Sequence, residues 1–297
     1  MKCDLCPRKC LVDRKKGEKG ICGQTENLKV ARAALHFWEE PCISGDAGSG
    51  AVFFSGCPLH CVFCQNENIA NGTVGKEISL ERLVDIFLEL QEKRANNINL
   101  VTPGHFVPQI VKALDQARKE GLTLPVVYNT SSYETVDTIK MLEGYVDIYL
   151  PDFKYMSPVL SKKYSRAPDY AEVAKAAIAE MVRQTGKAVF VNGDEDNLIL
   201  SGTIVRHLTL PGCMADSMQI VKYLHDTYGD MIYISIMNQF TPLSNLEKYP
   251  ELNRRITDVE YETLVDYAID IGIENGFIQE GNTAEESFIP AFDCEGV

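Results

Sequence analysis

The chain has 297 residues, 45% of them hydrophobic, and a net charge of −13, which suits one large domain or two small ones with a real core. The negative balance argues against non-specific nucleic-acid binding, which depends on neutralising phosphates. No apolar run approaches the roughly 20 residues that span a membrane, and the first residues lack a signal-peptide pattern. We therefore expect a cytoplasmic protein with neither nucleic acid nor membrane as a partner.

The ten cysteines form two groups and three isolated residues. In a reducing cytosol, clustered cysteines indicate metal or redox chemistry rather than a disulfide framework. The N-terminal group is Cys3, Cys6, Cys10 and Cys22, and the second group is Cys57, Cys61 and Cys64. The isolated cysteines, which we interpret as small buried hydrophobes without a role, are Cys42, Cys213 and Cys294.

Residues 1–45 are predicted to form a small cysteine-rich segment in front of a larger domain over residues 46–297. The first 24 residues interleave four cysteines with basic residues and contain few large apolar ones, so a hydrophobic core cannot order them. Four thiolates satisfy the ligand count of a closed zinc site or of a second iron–sulfur cluster. The spacing does not choose between the two metals, and a flexible head that binds no metal is the third alternative.

Beyond residue 50, apolar strand patterns alternate with helical ones. Strands are predicted over 51–54, 98–101, 125–128, 146–150, 188–191, 204–210, 232–236 and 277–279. Helices are predicted over 80–88, 107–119, 133–143, 170–185, 217–227 and 258–271. This alternation predicts βα units around a parallel sheet, and the nearly continuous apolar strands indicate a sheet covered on both faces. Periodicity alone does not distinguish an open sheet from a barrel.

The loop after the first of these strands carries three cysteines at C-x3-C-x2-C spacing, and Gly56 lets the chain turn tightly into it. Three thiolates on one loop can hold three irons of a [4Fe–4S] cluster and leave the fourth iron without a protein ligand. An open metal position is typical of a reactive site rather than a structural one. A zinc knuckle fits less well, because zinc loops favour C-x2-C pairs and four ligands.

The loop Cys57–Cys64, including the aromatic Phe63, resembles the cluster loop of the radical S-adenosylmethionine (SAM) superfamily. Within it the chain is most similar to the pyruvate formate-lyase activating enzyme family, in a branch with an extra N-terminal cysteine segment. The resemblance implies an α/β fold, a partial (β/α)6 TIM-like barrel with a small cysteine-rich extension. It also implies an oxidoreductase whose [4Fe–4S] cluster cleaves SAM to a 5′-deoxyadenosyl radical that abstracts hydrogen.

The resemblance assigns further residues at the carboxyl ends of the strands, where parallel α/β folds place their chemistry. The implied cofactor-binding residues are Phe63, Thr102, Pro103, Asn129, Thr130, Asp152, Arg206 and Asn238. Asp152 and Lys154 are in addition the implied catalytic pair, which positions SAM and substrate.

The sequence departs from the family at two of these strand ends. The family binds the SAM amino group with Gly-Gly-Glu, whereas Thr102-Pro103-Gly104-His105 contains no carboxylate. Asn129 and Thr130 match a pair near the SAM carboxylate, where activating enzymes hold a monovalent cation, but Asn replaces the usual Asp.

Three functions fit these observations. The first is activation of a glycyl radical enzyme by hydrogen abstraction from a glycine of that protein. The second is radical SAM modification of another peptide or a small molecule. The third is a non-catalytic iron–sulfur or zinc protein, which an open iron disfavours. For either enzyme the resemblance implies an electron donor such as flavodoxin or ferredoxin.

Overall fold

The computed structural model describes residues 2–193, 197–242, 246–279 and 290–297. Its strands are β1 (Lys29–His36), β2 (Ser49–Phe54), β3 (Lys76–Glu77), β4 (Ile98–Val101), β5 (Val126–Thr130), β6 (Ile148–Pro151), β7 (Val189–Phe190), β8 (Ile199–Leu208), β9 (Tyr233–Met237) and β10 (Gly276–Ile278). Its helices are α1 (Pro41–Ser44), α2 (Glu67–Ala70), α3 (Leu80–Glu92), α4 (Val107–Lys119), α5 (Val136–Lys140), α6 (Pro158–Ser165), α7 (Tyr170–Thr185), α8 (Met214–Tyr228) and α9 (Asp258–Asp270).

The strands form one mixed sheet in the order β10-β9-β8-β6-β5-β4-β2-β1-β3. Neighbours from β2 to β10 along this path run parallel, and β1 joins both β2 and β3 antiparallel. The two ends of the path do not meet in the described part of the chain, so the sheet stays open. The expected α/β fold with a partial barrel is confirmed.

Burial explains why these strands form. Every residue of β2, β4, β5, β6 and β9 is buried. This is expected for parallel strands whose inner face is covered by side chains of the barrel interior and whose outer face is covered by helices. The surrounding helices begin at capping residues. The Ser79 hydroxyl accepts from the Arg82 N–H at the start of α3, and Thr257 and Glu260 form a capping box at the start of α9.

Strand β1 has no counterpart among the predicted strands. Its sequence, KVARAALH, contains three alanines, which are depleted in strands, and its burial pattern does not alternate regularly. Pairing with β2 and hydrogen bonds with residues near Glu295 hold it in the sheet, including the bond that the Ala33 N–H donates to the Glu295 carbonyl. Because β1 lies within residues 1–45, the first segment contributes to the sheet of the second; the division at residue 45 stays a prediction.

Two other elements differ from the expectation. The strand predicted over 188–191 is the short β7, which pairs antiparallel with the first half of β8 instead of joining the parallel path. Strand β8 accordingly begins at Ile199, five residues earlier than predicted. The helix predicted over 133–143 is reduced to α5, because Ser132 has a positive φ of 63° and Thr135 caps the helix only afterwards.

The segment between β1 and β2 closes the amino end of the barrel. Cys42 and Ile43 of α1 pack in one cluster with side chains from β5, β6, β8 and β9. The side-chain amides of Asn96 and Asn97, just before β4, donate to the Ser44 and Ile43 carbonyls. The residues that precede α1 therefore form the floor of the barrel interior. Within the described ranges, no helix is both long and apolar enough to cross a membrane.

Candidate active site

A cavity of about 480 Å³ opens at the carboxyl ends of the parallel strands. Its walls include most of the predicted site residues, namely Cys57, Cys61, Phe63, Cys64, Thr102, Asn129, Thr130, Asp152, Lys154 and Arg206. Two of the predicted SAM-binding residues do not line it. Pro103 begins the turn after β4, and Asn238 directs its backbone N–H and its side-chain amide to Gln279.

The three loop cysteines line this cavity and interact electrostatically with one another. The Leu59 N–H donates to Cys57 Sγ at 3.4 Å, and the Ser165 hydroxyl donates to Cys61 Sγ at 3.1 Å. Burial raises the pKa of Cys57 to about 11 and also raises that of Cys64, so without metal these groups are protonated thiols. Three convergent sulfurs with hydrogen-bond donors fit the ligand set of a [4Fe–4S] cluster.

Phe63 anchors this loop. Its ring is buried and makes edge contacts with Tyr155, Tyr164 and Phe240, at centroid distances of 6.3, 6.4 and 6.0 Å. Edge-to-face aromatic pairs add to the stabilisation that burial alone provides. The cysteines on either side of Phe63 are therefore held by a rigid apolar cluster.

A chain of buried charges crosses the cavity wall. Lys154 Nζ lies 2.7 Å from Asp152 Oδ2, and Arg206 Nε lies 3.0 Å from Asp152 Oδ1. Burial opposes ionisation of Asp152, but Lys154 and Arg206 outweigh it and hold its pKa below the ordinary value. Asp152 likewise outweighs the effect of burial on Lys154 and raises its pKa. Both groups are thus charged at neutral pH.

Glu39 extends this chain and was not predicted from the sequence. Its carboxylate lies 2.9 Å from Arg206 Nη1 and accepts from the side-chain amides of Asn99 and Asn129, both at 3.1 Å. Arg206 Nη2 in turn donates to Asn129 Oδ1 at 2.7 Å. Glu39 therefore fixes the side chains of Asn129 and Arg206, two predicted SAM-binding residues. Nothing in the sequence around Glu39 signals this, because the path between β1 and β2 brings it there.

The turn after β4 is strained. Thr102 has a positive φ of 55°, an outlier for a β-branched residue, and its N–H donates to the Asn129 carbonyl. Two residues on, a Cβ at Gly104 would overlap the carboxylate of Glu134. Glu134 is buried, which raises its pKa to about 7, and it lies outside the cavity lining. The Glu134 carboxyl group therefore packs against this turn at Gly104 and does not line the cavity.

His105 does not face the cavity. Its Nε2 donates to the Ser55 carbonyl at 2.7 Å, and its own carbonyl accepts from Arg14 Nη1 at 2.5 Å. Burial lowers its pKa to about 3, so the ring stays neutral. Its contacts join the β4 turn to the start of the cluster loop and to the N-terminal head.

The N-terminal head, residues 2–28, packs directly on the cluster loop. The Arg8 guanidinium donates to the carbonyls of Pro58, Leu59, Ser165 and Arg166. His60 Nε2 donates to the Ile21 carbonyl at 2.7 Å. Gly56 approaches the head so closely that a Cβ there would overlap the Cys22 carbonyl oxygen. The head therefore supports the loop that carries the three cysteines.

The four head cysteines lie outside the cavity but near one another. Cys6 interacts electrostatically with Cys10 and Cys22, and Cys22 with Cys3 and Cys10. Backbone N–H groups donate to three of these sulfurs, including Ile21 N–H to Cys10 Sγ at 3.3 Å. Over the ranges that the structure describes, no three His, Cys, Asp or Glu side chains are arranged to hold a single metal ion as they stand.

Residues 51–193, from β2 through β7, match the model of the radical SAM superfamily. The chain therefore contains a radical SAM superfamily domain, and the family implies a [4Fe–4S] cluster and SAM as cofactors. An uncharacterized protein of Methanocaldococcus jannaschii, MJ0674, is 27% identical over 272 residues, which cover 90% of this chain and 74% of that protein.

Solved radical SAM structures share the fold. SuiB of Streptococcus suis bound to S-adenosylmethionine aligns with a TM-score of 0.52 at 14% identity, over 76% of this chain and 48% of SuiB. HydG, a maturase of the [FeFe]-hydrogenase, gives a TM-score of 0.51 at 14% identity, over 76% of this chain and 50% of HydG. The chain thus spans about half the length of these proteins, and at such identities the similarity concerns the fold alone.

Proposed function

We propose that this protein is a radical SAM enzyme that cleaves SAM reductively and abstracts a hydrogen atom from a substrate. One observation carries the proposal: three cysteine thiols and the charged chain around Asp152 meet in one cavity at the carboxyl ends of the strands. A purely structural iron–sulfur or zinc protein has no use for such a cavity beside an open metal position.

In this proposal Cys57, Cys61 and Cys64 hold the cluster. When bound, the cluster supplies the electron that breaks the sulfonium bond of SAM and so generates the hydrogen-abstracting radical. Asp152 and Lys154 position SAM and substrate, since a fixed carboxylate accepts from hydroxyl or amide groups and an ammonium donates to carboxylate or carbonyl oxygens.

The remaining cavity residues hold SAM in place. Asn129 and Thr130 contact its carboxylate end, and Arg206 fixes both Asn129 and Asp152 through the contacts described above. Thr102 presents backbone groups to the amino end in place of the carboxylate that the turn lacks. Pro103 sets the shape of that turn, and Asn238 orders the end of β9 through its bonds to Gln279.

The first candidate substrate is a glycine of a glycyl radical enzyme. The resemblance of the cluster loop supports it, and the open sheet leaves a side through which a peptide loop could enter. A domain of pyruvate-formate lyase-activating enzyme from Bacteroides vulgatus aligns with a TM-score of only 0.40 and adds nothing to this choice. The second candidate is another peptide or a small molecule, favoured by the buried carboxyl group of Glu40, which lines the cavity.

The electron donor in this proposal is a one-electron carrier such as flavodoxin or ferredoxin, and the cytoplasm is the expected compartment for reduced thiols. The four head cysteines are proposed to bind a zinc ion or a second iron–sulfur cluster. Their mutual proximity and N–H···S bonds support this, because such bonds stabilise metal-bound thiolates. Metal analysis of a variant with Ala at Cys57, Cys61 and Cys64 isolates the head site. If the variant contains neither zinc nor iron and its head thiols are freely alkylated, the head binds no metal and the flexible-head alternative is correct.

The role of Asp152 is tested by Asp152→Asn, which keeps the shape and removes the charge. The matched control is Asp230→Asn, whose carboxylate pairs with Lys187 on the surface, far from the cavity chain. We expect Asp152→Asn to keep its iron and its absorbance while losing about 100-fold in SAM cleavage, the scale of a 1 Å positioning error. Wild-type cleavage and wild-type SAM affinity in Asp152→Asn would remove Asp152 from the site.

A further inference from the structure

Glu40 lies on the floor of the cavity, and one of its two carboxyl oxygens is unpaired among the described residues. The residue is 8% exposed and lines the cavity, and none of the residues that the structure describes hydrogen-bonds to its Oε2. The hydroxyl of Ser235, on β9, hydrogen-bonds to the same carboxyl group. Because buried polar atoms in folded proteins are nearly always paired, an unpaired carboxyl oxygen on a residue that lines a cavity points to a ligand atom that completes it.

The charges around the cavity show which kind of ligand is missing. Among the described lining residues, three carboxyl groups face two cationic groups, and burial lowers the pKa of His36 to about 4, so that ring adds no charge. Asp152 and Glu39 are paired directly with Lys154 and Arg206. Within the described part of the chain, no ion pair joins Glu40 to a cationic side chain.

Burial is the main cause that raises the pKa of Glu40; the charge of Arg206 opposes this shift, and the neighbouring Glu39 adds to it. A cationic ligand would provide the counter-charge that this carboxyl group lacks, since opposite charge favours the ionised form. The missing partner is therefore a positively charged group with N–H donors.

Depth separates this position from the mouth of the cavity. Ser235 precedes Met237 by two residues on β9, and both line the cavity, so the Glu40 level lies about 7 Å below that of Met237. The three cysteines, Asp152 and Lys154 belong to the loops at the mouth. Because the segment between β1 and β2 closes the amino end of the barrel, a group that reaches Glu40 enters through the mouth and ends at the level of Arg206, the register partner of Ser235.

We propose that Glu40 binds an ammonium, amidinium or guanidinium group of the substrate, so that the substrate is an amine or carries a basic side chain. This inference rests on the proposed function, because it takes the cationic ligand to be the substrate of that reaction. It deepens the proposed function by giving the chemical class of the substrate. It selects among the candidates a small amine, or a peptide whose Lys, Arg or N-terminus enters the barrel.

The test is a binding measurement on anaerobic, cluster-loaded protein saturated with SAM. The probes are butylammonium, 1-butanol and butyrate, which share a chain length and differ in charge. We expect the wild type to bind butylammonium at least tenfold more tightly than 1-butanol and to exclude butyrate. Glu40→Gln should lose at least tenfold in butylammonium affinity, whereas Glu92→Gln, an exposed residue at the end of α3, should lose none.

Three results would overturn the assignment. The first is equal binding of butylammonium and 1-butanol by the wild type, which decides the question even if Glu40→Gln does not fold. The second is wild-type butylammonium affinity in a folded Glu40→Gln protein. The third is a tenfold loss of SAM affinity in Glu40→Gln, which would assign Glu40 to the cofactor. Cleavage of SAM without substrate is measured separately, so that its absence would refute the proposed function and leave this binding result standing.

Discussion

Replacing Gly56 with Ala should break the contact between the N-terminal head and the cluster loop. The residue has a positive φ of 92°, and the new Cβ would overlap the Cys22 carbonyl oxygen and lie 2.7 Å from Cγ of Gln24. A side chain in such a backbone conformation costs roughly 1–3 kcal/mol, and overpacking against the head adds roughly another 1–3 kcal/mol. We expect a total loss of roughly 2–6 kcal/mol in the free energy of unfolding.

The matched control is Gly121→Ala, after α4. Gly121 has a similar φ of 107°, but a Cβ there meets no atom of the described residues within 4 Å, so the variant measures the backbone strain alone. Urea unfolding of both variants gives the difference, which we expect to be roughly 1–3 kcal/mol to the disadvantage of Gly56→Ala. If Gly56→Ala is no less stable than Gly121→Ala, the N-terminal head does not pack on the cluster loop and does not support it.

Three further contacts give predictions of their own. Arg206→Gln strips two buried carboxylates of their shared cation, and urea unfolding should show a loss of roughly 3–5 kcal/mol. Burial lowers the pKa of His207 to about 4, whereas an unfolded ring titrates near 6.5, so the stability that the neutral ring contributes is complete above pH 6.5 and is lost toward pH 4. Relative to His207→Asn, the wild type should therefore lose about 2 kcal/mol of unfolding free energy between pH 7.5 and pH 5. Arg8→Gln removes hydrogen bonds beside the cluster loop, and amide hydrogen exchange there should accelerate roughly tenfold.

Each of these expectations has a result that contradicts it. Arg254→Gln serves as the control for Arg206→Gln, because its ion pair with Glu260 is exposed and should be worth about 1 kcal/mol or less. Equal losses of unfolding free energy in the two variants would mean that the buried ion pairs of Arg206 stabilise the fold no more than an exposed ion pair does. If the unfolding free energies of the wild type and His207→Asn change in parallel with pH, the buried neutral ring of His207 does not contribute as expected. If amide exchange in the cluster loop is unchanged in Arg8→Gln, the Arg8 hydrogen bonds do not stabilise that loop.

Much of the fold follows from local patterns in the sequence. Buried parallel strands are short apolar runs and the helices around them have apolar stripes, so their alternation beyond residue 50 predicts the sheet correctly. Strand β1 escapes this reasoning, since its alanines carry little strand preference and its place depends on pairing with β2. The antiparallel β7 looks the same in sequence as a parallel strand, because periodicity does not record strand direction.

The site divides in the same way. The C-x3-C-x2-C spacing predicts the cluster site from a short local motif. Asp152 and Lys154 are predicted as site residues because they directly follow an apolar strand. Glu39 and Glu40 could not be predicted, because they enter the cavity through the long-range path of the segment before α1. Asn238 was assigned to SAM from its strand end, and that assignment stays a prediction, while its bonds to Gln279 show how a polar strand-end residue can serve the backbone instead.

The central claim is that the three loop cysteines support reductive SAM cleavage. Its most direct test compares anaerobically reconstituted and reduced wild-type protein with a variant that has Ala at Cys57, Cys61 and Cys64. A variant with Ala at Cys213 and Cys294, two cysteines to which we assign no role, is the matched control. We predict 5′-deoxyadenosine and methionine from the wild type and from the control, and neither product from the triple variant. SAM cleavage by the triple variant at the wild-type rate would contradict the account.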